Sequence, residues 1–256
     1  MKRFILLFVL MHLTRVDAHT ISEQVSLVKR IKQSTVGVGV YNPLHAPKYQ
    51  LRGTGFAVTS PNPNRTYIVT NHHVINGTEF EKAKSEISVH VGEGNQASYF
   101  HAKLLAQSER TDTAILELKT RIPGLNLAPS KDIYEAGTEV LISGLPISSV
   151  LGLYKSVHKG MVAAYVPKAI PQQRAGNLTP EIIQSLRNPM FVYQLDATAY
   201  PGNSGSPIVD VSSGNTIAIL NSVLVKKTKE HVLSDPSGIS YAIPIKEVHT
   251  LINSIK

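Results

Sequence analysis

The chain contains no cysteine in its 256 residues. That excludes disulfides, thiol nucleophiles and thiolate metal sites. Charged residues are few at 17%, and no block of lysine and arginine is interleaved with aromatics. Nothing therefore marks a nucleic-acid surface, and the net charge of +8 reads as solubility with weak attraction to anionic surfaces. No G-x-S-x-G elbow and no strand–helix rhythm is present, which excludes an esterase of the α/β-hydrolase kind. Only one apolar run stands out, from Phe4 to Leu13, and it is too short to span a bilayer.

That run sits in a recognisable frame. Lys2 and Arg3 precede it, and Val16-Asp17-Ala18 follow with small residues at the −3 and −1 positions. The pattern predicts a signal peptide over residues 1–18, with a mature chain from His19 to Lys256. Export is expected, to a periplasm or to the medium. The lack of cysteine in an exported chain favours a bacterial source. The sequons at Asn64, Asn76 and Asn177 read as chance matches.

What remains is 42% hydrophobic, enough to bury a core, and is punctuated by 17 glycines and 15 prolines. Frequent punctuation suits many short strands. Residues 19–34, "HTISEQVSLVKRIKQS", predict a helix. Thr20 and Glu23 form a capping box, with Ile21, Val25, Val28 and Ile31 as the apolar stripe. Strand-like runs then follow: "TVGVGVY", "GTGFAVTS", "RTYIVTNHHVI", "EISVHV", "ASYFHAKLLAQ" and "TAILELK". A second set begins with "TEVLISGLP", "HKGMVAAYV" and "MFVYQLDA", and continues with "SPIVDV", "TIAILNSVLV" and "ISYAIPI". These predict an all-β fold in two halves, about 34–125 and about 130–245. A C-terminal helix is expected over 244–255, with Ile245, Val248, Leu251, Ile252 and Ile255 as its apolar stripe. The long segment 167–189 breaks the rhythm. Thr179-Pro180-Glu181 predicts a short helix over 180–187 within it.

Three stretches carry candidate chemistry. "YPGNSGSPIVD" places Ser204 between Asn203 and Gly205, either as an ordinary turn residue or as a nucleophile held in a bend. "YIVTNHHVI" offers His72 and His73 where a strand ends. "SERTDTAILELK" offers Asp112 just before an apolar strand. Each alone has a structural explanation. The order His, Asp, Ser, with every member at an element boundary, is more specific.

"GTGFAV", "VTNHHVI", "TDTAIL", "QLDATAYPGNSGSPIVD" and "ISYAIPI" together resemble the trypsin-like serine proteases, most closely the protease domain of the bacterial HtrA/Deg family. The resemblance covers nearly all of residues 20–256. It implies two six-stranded antiparallel Greek-key barrels of chymotrypsin type with the active site between them. It also implies a serine endopeptidase acting on protein or peptide substrates, with no cofactor, no metal, no nucleic-acid partner and no membrane span once the leader is removed. The family's catalytic histidine falls on His73, its aspartate on Asp112 and its nucleophile on Ser204. The oxyanion hole falls on the backbone N–H groups of Gly202 and Ser204.

Departures from the family shape the remaining expectations. Only residues 244–256 follow the last expected strand, so no PDZ domain is anticipated. Ser206 stands where HtrA proteins carry glycine, a feature shared with glutamyl endopeptidases. Those enzymes use a histidine on a later strand to read glutamate, and Leu220 occupies that position here. The residue six before the nucleophile, Thr198, is expected at the floor of the S1 pocket. Thr198 and Leu220 therefore imply cleavage after small or medium apolar residues. A catalytically silent binding protein on the same fold is the alternative, because fold does not fix function.

Overall fold

A computed structural model describes residues 21–44, 46, 48–76, 86–147, 152–168, 187, 189–221 and 238–255. The expected leader over 1–18, residues 180–186 of the helix expected over 180–187, and most of the 167–189 segment lie outside the described residues. Helix α1 spans residues 21–34. Its buried face is Leu27, Ile31 and Ser34, with Val28 partly covered, whereas Ile21 and Val25 are exposed. The expected stripe was thus correct at its C-terminal end only. The helical spacing also fits Leu27 and Ile31, and the first turn overhangs the core.

Seven strands form the first sheet: β1 (Thr35–Tyr41), β2 (Tyr49–Thr59), β3 (Thr66–Thr70), β4 (Glu86–Val91), β5 (Ser98–His101), β6 (Lys103–Ser108) and β7 (Thr113–Leu118). Their order is β5-β4-β1-β2-β3-β7-β6. The two edge strands are consecutive in the chain, separated only by Ala102, whose N–H donates to Ile87 O at 2.9 Å. The expected fifth strand, "ASYFHAKLLAQ", is therefore one run broken at Ala102. Its first half pairs with β4 and its second with β7, so the sheet curls round on itself. Six strands close the second sheet into a barrel: β8 (Glu139–Gly144), β9 (Ser156–Pro167), β10 (Phe191–Asp196), β11 (Pro207–Asp210), β12 (Thr216–Asn221) and β13 (Ile239–Pro244), in the order β10-β13-β12-β11-β8-β9. A one-turn helix α2 (His72–Ile75) lies between β3 and β4, and helix α3 (Ile245–Asn253) follows β13. In α3, Ile245, Val248 and Leu251 are buried, as the sequence stripe requires.

At β3 and β7 the first sheet is buried on both faces, which explains the continuous apolar runs of these strands. Ala57, Ile68, Ala114 and Leu116 point to one interior with Val36, Val38 and Val89. Their neighbours Phe56, Val58, Tyr67, Val69 and Ile115 point the other way. They join a larger core with Ile142, Leu195, Ile208 and Ile219 of the barrel, Ile31 of α1 and Val248 of α3. Period-two alternation thus divides one strand between two cores. Pairing of β3 with β7, Thr70 opposite Ala114, then brings the end of β3 beside the start of β7.

Candidate active site

That register decides where His73 and Asp112 meet. Asn71 has extended backbone (φ −81°, ψ 150°) and starts the single turn of α2, with Val74 and Ile75 buried beneath it. His73 directs its ring outward, its side chain 29% exposed. Asp112 stands immediately before β7 with a positive φ of 51°, a conformation that aspartate tolerates better than most residues. Its carboxylate accepts the His73 backbone N–H at Oδ1 (2.8 Å) and meets His73 Nδ1 at Oδ2 (2.7 Å). Asn71 Nδ2 donates to the Asp112 carbonyl at 3.0 Å, which fixes the Asp112 backbone to the residue that starts the histidine turn.

A third donor comes from the other sheet. Asn221, buried at the end of β12, donates Nδ2 to Asp112 Oδ2 at 2.6 Å. Burial alone would raise the Asp112 carboxyl pKa. The hydrogen bonds and positive field of His73, with the Asn221 bond, outweigh burial and hold it below the usual aspartate value. Asp112 is therefore a carboxylate at neutral pH. It ties His73 at two points, main chain and ring, and fixes Nδ1 as the ring nitrogen that faces the acid.

Ser204 lies in a bend that leads from Tyr200 into β11. Asn203 N–H donates to Tyr200 O and Ser206 N–H to Asn203 O, both at 3.0 Å. Two glycines with positive φ, Gly202 (97°) and Gly205 (89°), flank the centre of the bend. Both backbone conformations suit glycine, and each position is also crowded. A Cβ on Gly205 would overlap Thr54 O, and one on Gly202 would overlap Leu145 O. Gly205 N–H donates to Leu220 O at 3.0 Å, and Leu220 N–H donates to Ser206 O at 2.9 Å. Leu220 thus anchors the serine bend, while the next residue, Asn221, anchors Asp112. From the opposite side, the position of a Cβ on Gly53 lies 2.6 Å from Val74 Cγ2 and 2.8 Å from Ser204 O. The serine backbone and the residue after His73 therefore converge on one glycine. Ser204 itself is only 4% exposed.

Two carbonyls beside Gly202 are tied down. Ile147 N–H donates to Pro201 O at 2.9 Å, and Thr54 Oγ1 donates to Gly202 O at 2.7 Å. The remaining expected residues divide. Thr198 is half-buried in the turn after β10. Leu220 is wholly buried, and its side chain belongs to the barrel core, so its backbone rather than its side chain serves the bend. His72 is buried and is not the partner of Asp112. The described residues contain no cluster of three or more metal-ligating side chains. Asn221 and Thr54 went unassigned in the sequence. A lone amide closing the apolar strand "TIAILN" and a hydroxyl between two glycines were their only signals.

The trypsin-like peptidase domain matches residues 53–219. Among curated proteins, the chain is 29% identical over 205 residues to the serine protease Do-like HtrA of Lactobacillus helveticus, covering 79% of this chain and 42% of that protein. It is 28% identical over 209 residues to a probable periplasmic serine endoprotease DegP-like of Chlamydia pneumoniae, covering 81% and 35%. The chain thus spans about two-fifths of the length of these relatives. Among solved structures, the Rv3671c protease of M. tuberculosis in its active form superposes with a TM-score of 0.62 at 21% identity, covering 90% of this chain and 83% of that one. The HtrA-type protease AlgW with tripeptide gives 0.60 at 23% identity, covering 91% and 63%. These likenesses establish the fold. Among the described residues no helix is long and apolar enough to cross a membrane. The domain match over residues 53–219 carries the assignment: the chain belongs to the trypsin-like peptidase family.

Proposed function

We propose that this chain is a serine endopeptidase whose triad is His73, Asp112 and Ser204. The observation that carries the reading is the two-point bond of Asp112 to His73, at 2.8 and 2.7 Å, beside a serine bend anchored on the same strand end. In the first step Ser204 Oγ attacks the scissile carbonyl carbon, and the carbonyl π pair moves onto oxygen. His73 Nε2 takes the hydroxyl proton, and Asp112 stabilises the resulting imidazolium. Collapse of the tetrahedral adduct expels the amine, which takes the proton from His73 and leaves an acyl-enzyme. Water then repeats the sequence: its oxygen bonds to the acyl carbon as His73 accepts its proton, and the Ser204–acyl bond breaks as Ser204 Oγ takes that proton back from His73. The N–H groups of Gly202 and Ser204 receive the oxyanion, where one such donor is worth about 3–4 kcal/mol.

Thr198 at the S1 floor supplies a hydroxyl and no carboxylate. A lysine or arginine side chain would enter without a partner for its charge, an unfavourable arrangement. The chain therefore cuts after small or medium apolar residues in exposed or unfolded protein segments. An AlgW structure carries a tripeptide, in keeping with peptide substrates. The leader read over residues 1–18 and the periplasmic DegP-like relative favour an exported enzyme. The test is fluorophosphonate labelling with peptide-library cleavage mapping. Wild type should label and cleave, and Ser204→Ala should do neither. Equal cleavage by the two, or a folded wild type that does not label, would refute the reading.

A further inference from the structure

Thr54 is wholly buried between Gly53 and Gly55, and each of its polar groups is engaged. Its N–H donates to Ser204 O at 2.7 Å. Its carbonyl accepts Thr70 Oγ1 at 2.7 Å. Its hydroxyl accepts Leu145 N–H at 3.1 Å and donates to Gly202 O at 2.7 Å. The directions are unambiguous, because an amide can only donate and a carbonyl can only accept. One hydroxyl therefore clamps two passing segments, 145–147 and 201–203.

The segment that needs clamping is the one around Gly202. Glycine has no side chain to restrain φ and ψ, so its N–H is oriented by the peptides on either side. The preceding peptide is set by Ile147 N–H on Pro201 O. In a trans peptide the C=O and N–H point oppositely, so that bond turns the Gly202 N–H away from Ile147. The following peptide is set by the Thr54 hydroxyl on Gly202 O. With both carbonyls fixed, Gly202 cannot rotate its N–H out of line.

We propose that Thr54 is a positioning residue whose hydroxyl keeps the Gly202 N–H aimed at the developing oxyanion. The inference rests on the reading of Ser204 as nucleophile and Gly202 as oxyanion donor. It predicts an effect on turnover rather than on substrate affinity, because the clamp touches no substrate. Thr54→Val keeps the shape and removes the hydroxyl, Thr54→Ser keeps the hydroxyl, and Thr54→Ala removes hydroxyl and methyl together.

The experiment measures kcat and KM on a peptide substrate for the full chain, with active sites counted by burst titration. Thr54→Val should lower kcat per titrated site by about 10- to 100-fold with little change in KM, and Thr54→Ser should restore it. A purely structural role would lower the number of titratable sites and leave kcat per site intact. If Thr54→Val yields no folded chain, the Ser and Ala variants, which differ only in the hydroxyl, make the same comparison. Wild-type kcat per site in Thr54→Val, or in Thr54→Ala, overturns the inference alone, provided that wild type is active and Ser204→Ala is not. A wild type that neither cleaves nor titrates overturns the function reading and this inference with it.

Discussion

Asp112→Asn tests the site through hydrogen-bond direction with almost no change in shape. The carboxylate accepts three donors: His73 N–H at Oδ1, and His73 Nδ1 and Asn221 Nδ2 at Oδ2. Asparagine offers one oxygen and one NH₂. If its oxygen takes the Oδ2 place, its NH₂ faces the His73 backbone N–H, donor against donor. If its oxygen takes the Oδ1 place, its NH₂ faces both Asn221 Nδ2 and His73 Nδ1. The imidazole then escapes the clash only by moving its proton to Nε2, the nitrogen that accepts the serine proton in the proposed mechanism. Either arrangement leaves a buried donor unsatisfied, a cost of about 1–3 kcal/mol. The second also sets the wrong tautomer, for which a loss near ten-thousand-fold in kcat is expected, or about 5.5 kcal/mol in the barrier. The assay is kcat at neutral pH on a peptide substrate, with urea unfolding as the stability control. A folded Asp112→Asn enzyme within tenfold of wild type would refute the assigned role of the carboxylate.

Other outcomes follow from the same geometry. Gly205→Ala introduces a Cβ against Thr54 O and 2.6 Å from Thr70 Oγ1 at a φ of 89°. Backbone strain plus overpacking should cost about 2–5 kcal/mol in chemical denaturation, and a change under 1 kcal/mol would contradict the fold at the bend. Asp210 is held below its usual pKa because bonds from Ser213 and Ser212 outweigh its burial. Asp112 is lowered as well. Carboxyls depressed by folding stabilise fully above their unfolded value, about 3.9, and lose that contribution as pH falls through the folded value. Burial also holds His90 and His158 below the usual histidine value, so stability should begin to decline as pH falls below about 6.5 and fall further below about pH 5, the lower part less steeply in Asp210→Asn; an identical decline in that variant would count against the Asp210 turn. Thr198→Asp should shift cleavage toward lysine and arginine at P1, and an unchanged cleavage map would remove Thr198 from the S1 floor.

Much of this was legible in the chain because period and punctuation are local properties. β1 and β4 coincide with the runs "TVGVGVY" and "EISVHV", and Asp112 sits where a turn former precedes an apolar strand. What stayed hidden depends on partners distant in sequence. The break at Ala102 exists because the two halves of one run pair with different neighbours, β4 and β7. Ile21 and Val25 have helical spacing yet lie beyond the reach of the core, and no periodicity reports where a core ends. Asn221 and Thr54 matter through bonds to residues more than 90 positions away, which no window of sequence contains.

The core that unites the two sheets also governs how the molecule comes apart. Phe56, Val69 and Ile115 share one apolar cluster with Ile142, Ile208 and Ile219, and both terminal helices seal it. Neither lobe can melt while the other stays folded without stripping that cluster of half its walls. Heating should therefore register as a single cooperative transition. Under the proposed endopeptidase function a half-open molecule would lie open to cleavage by its neighbours, and the shared interior works against such opening.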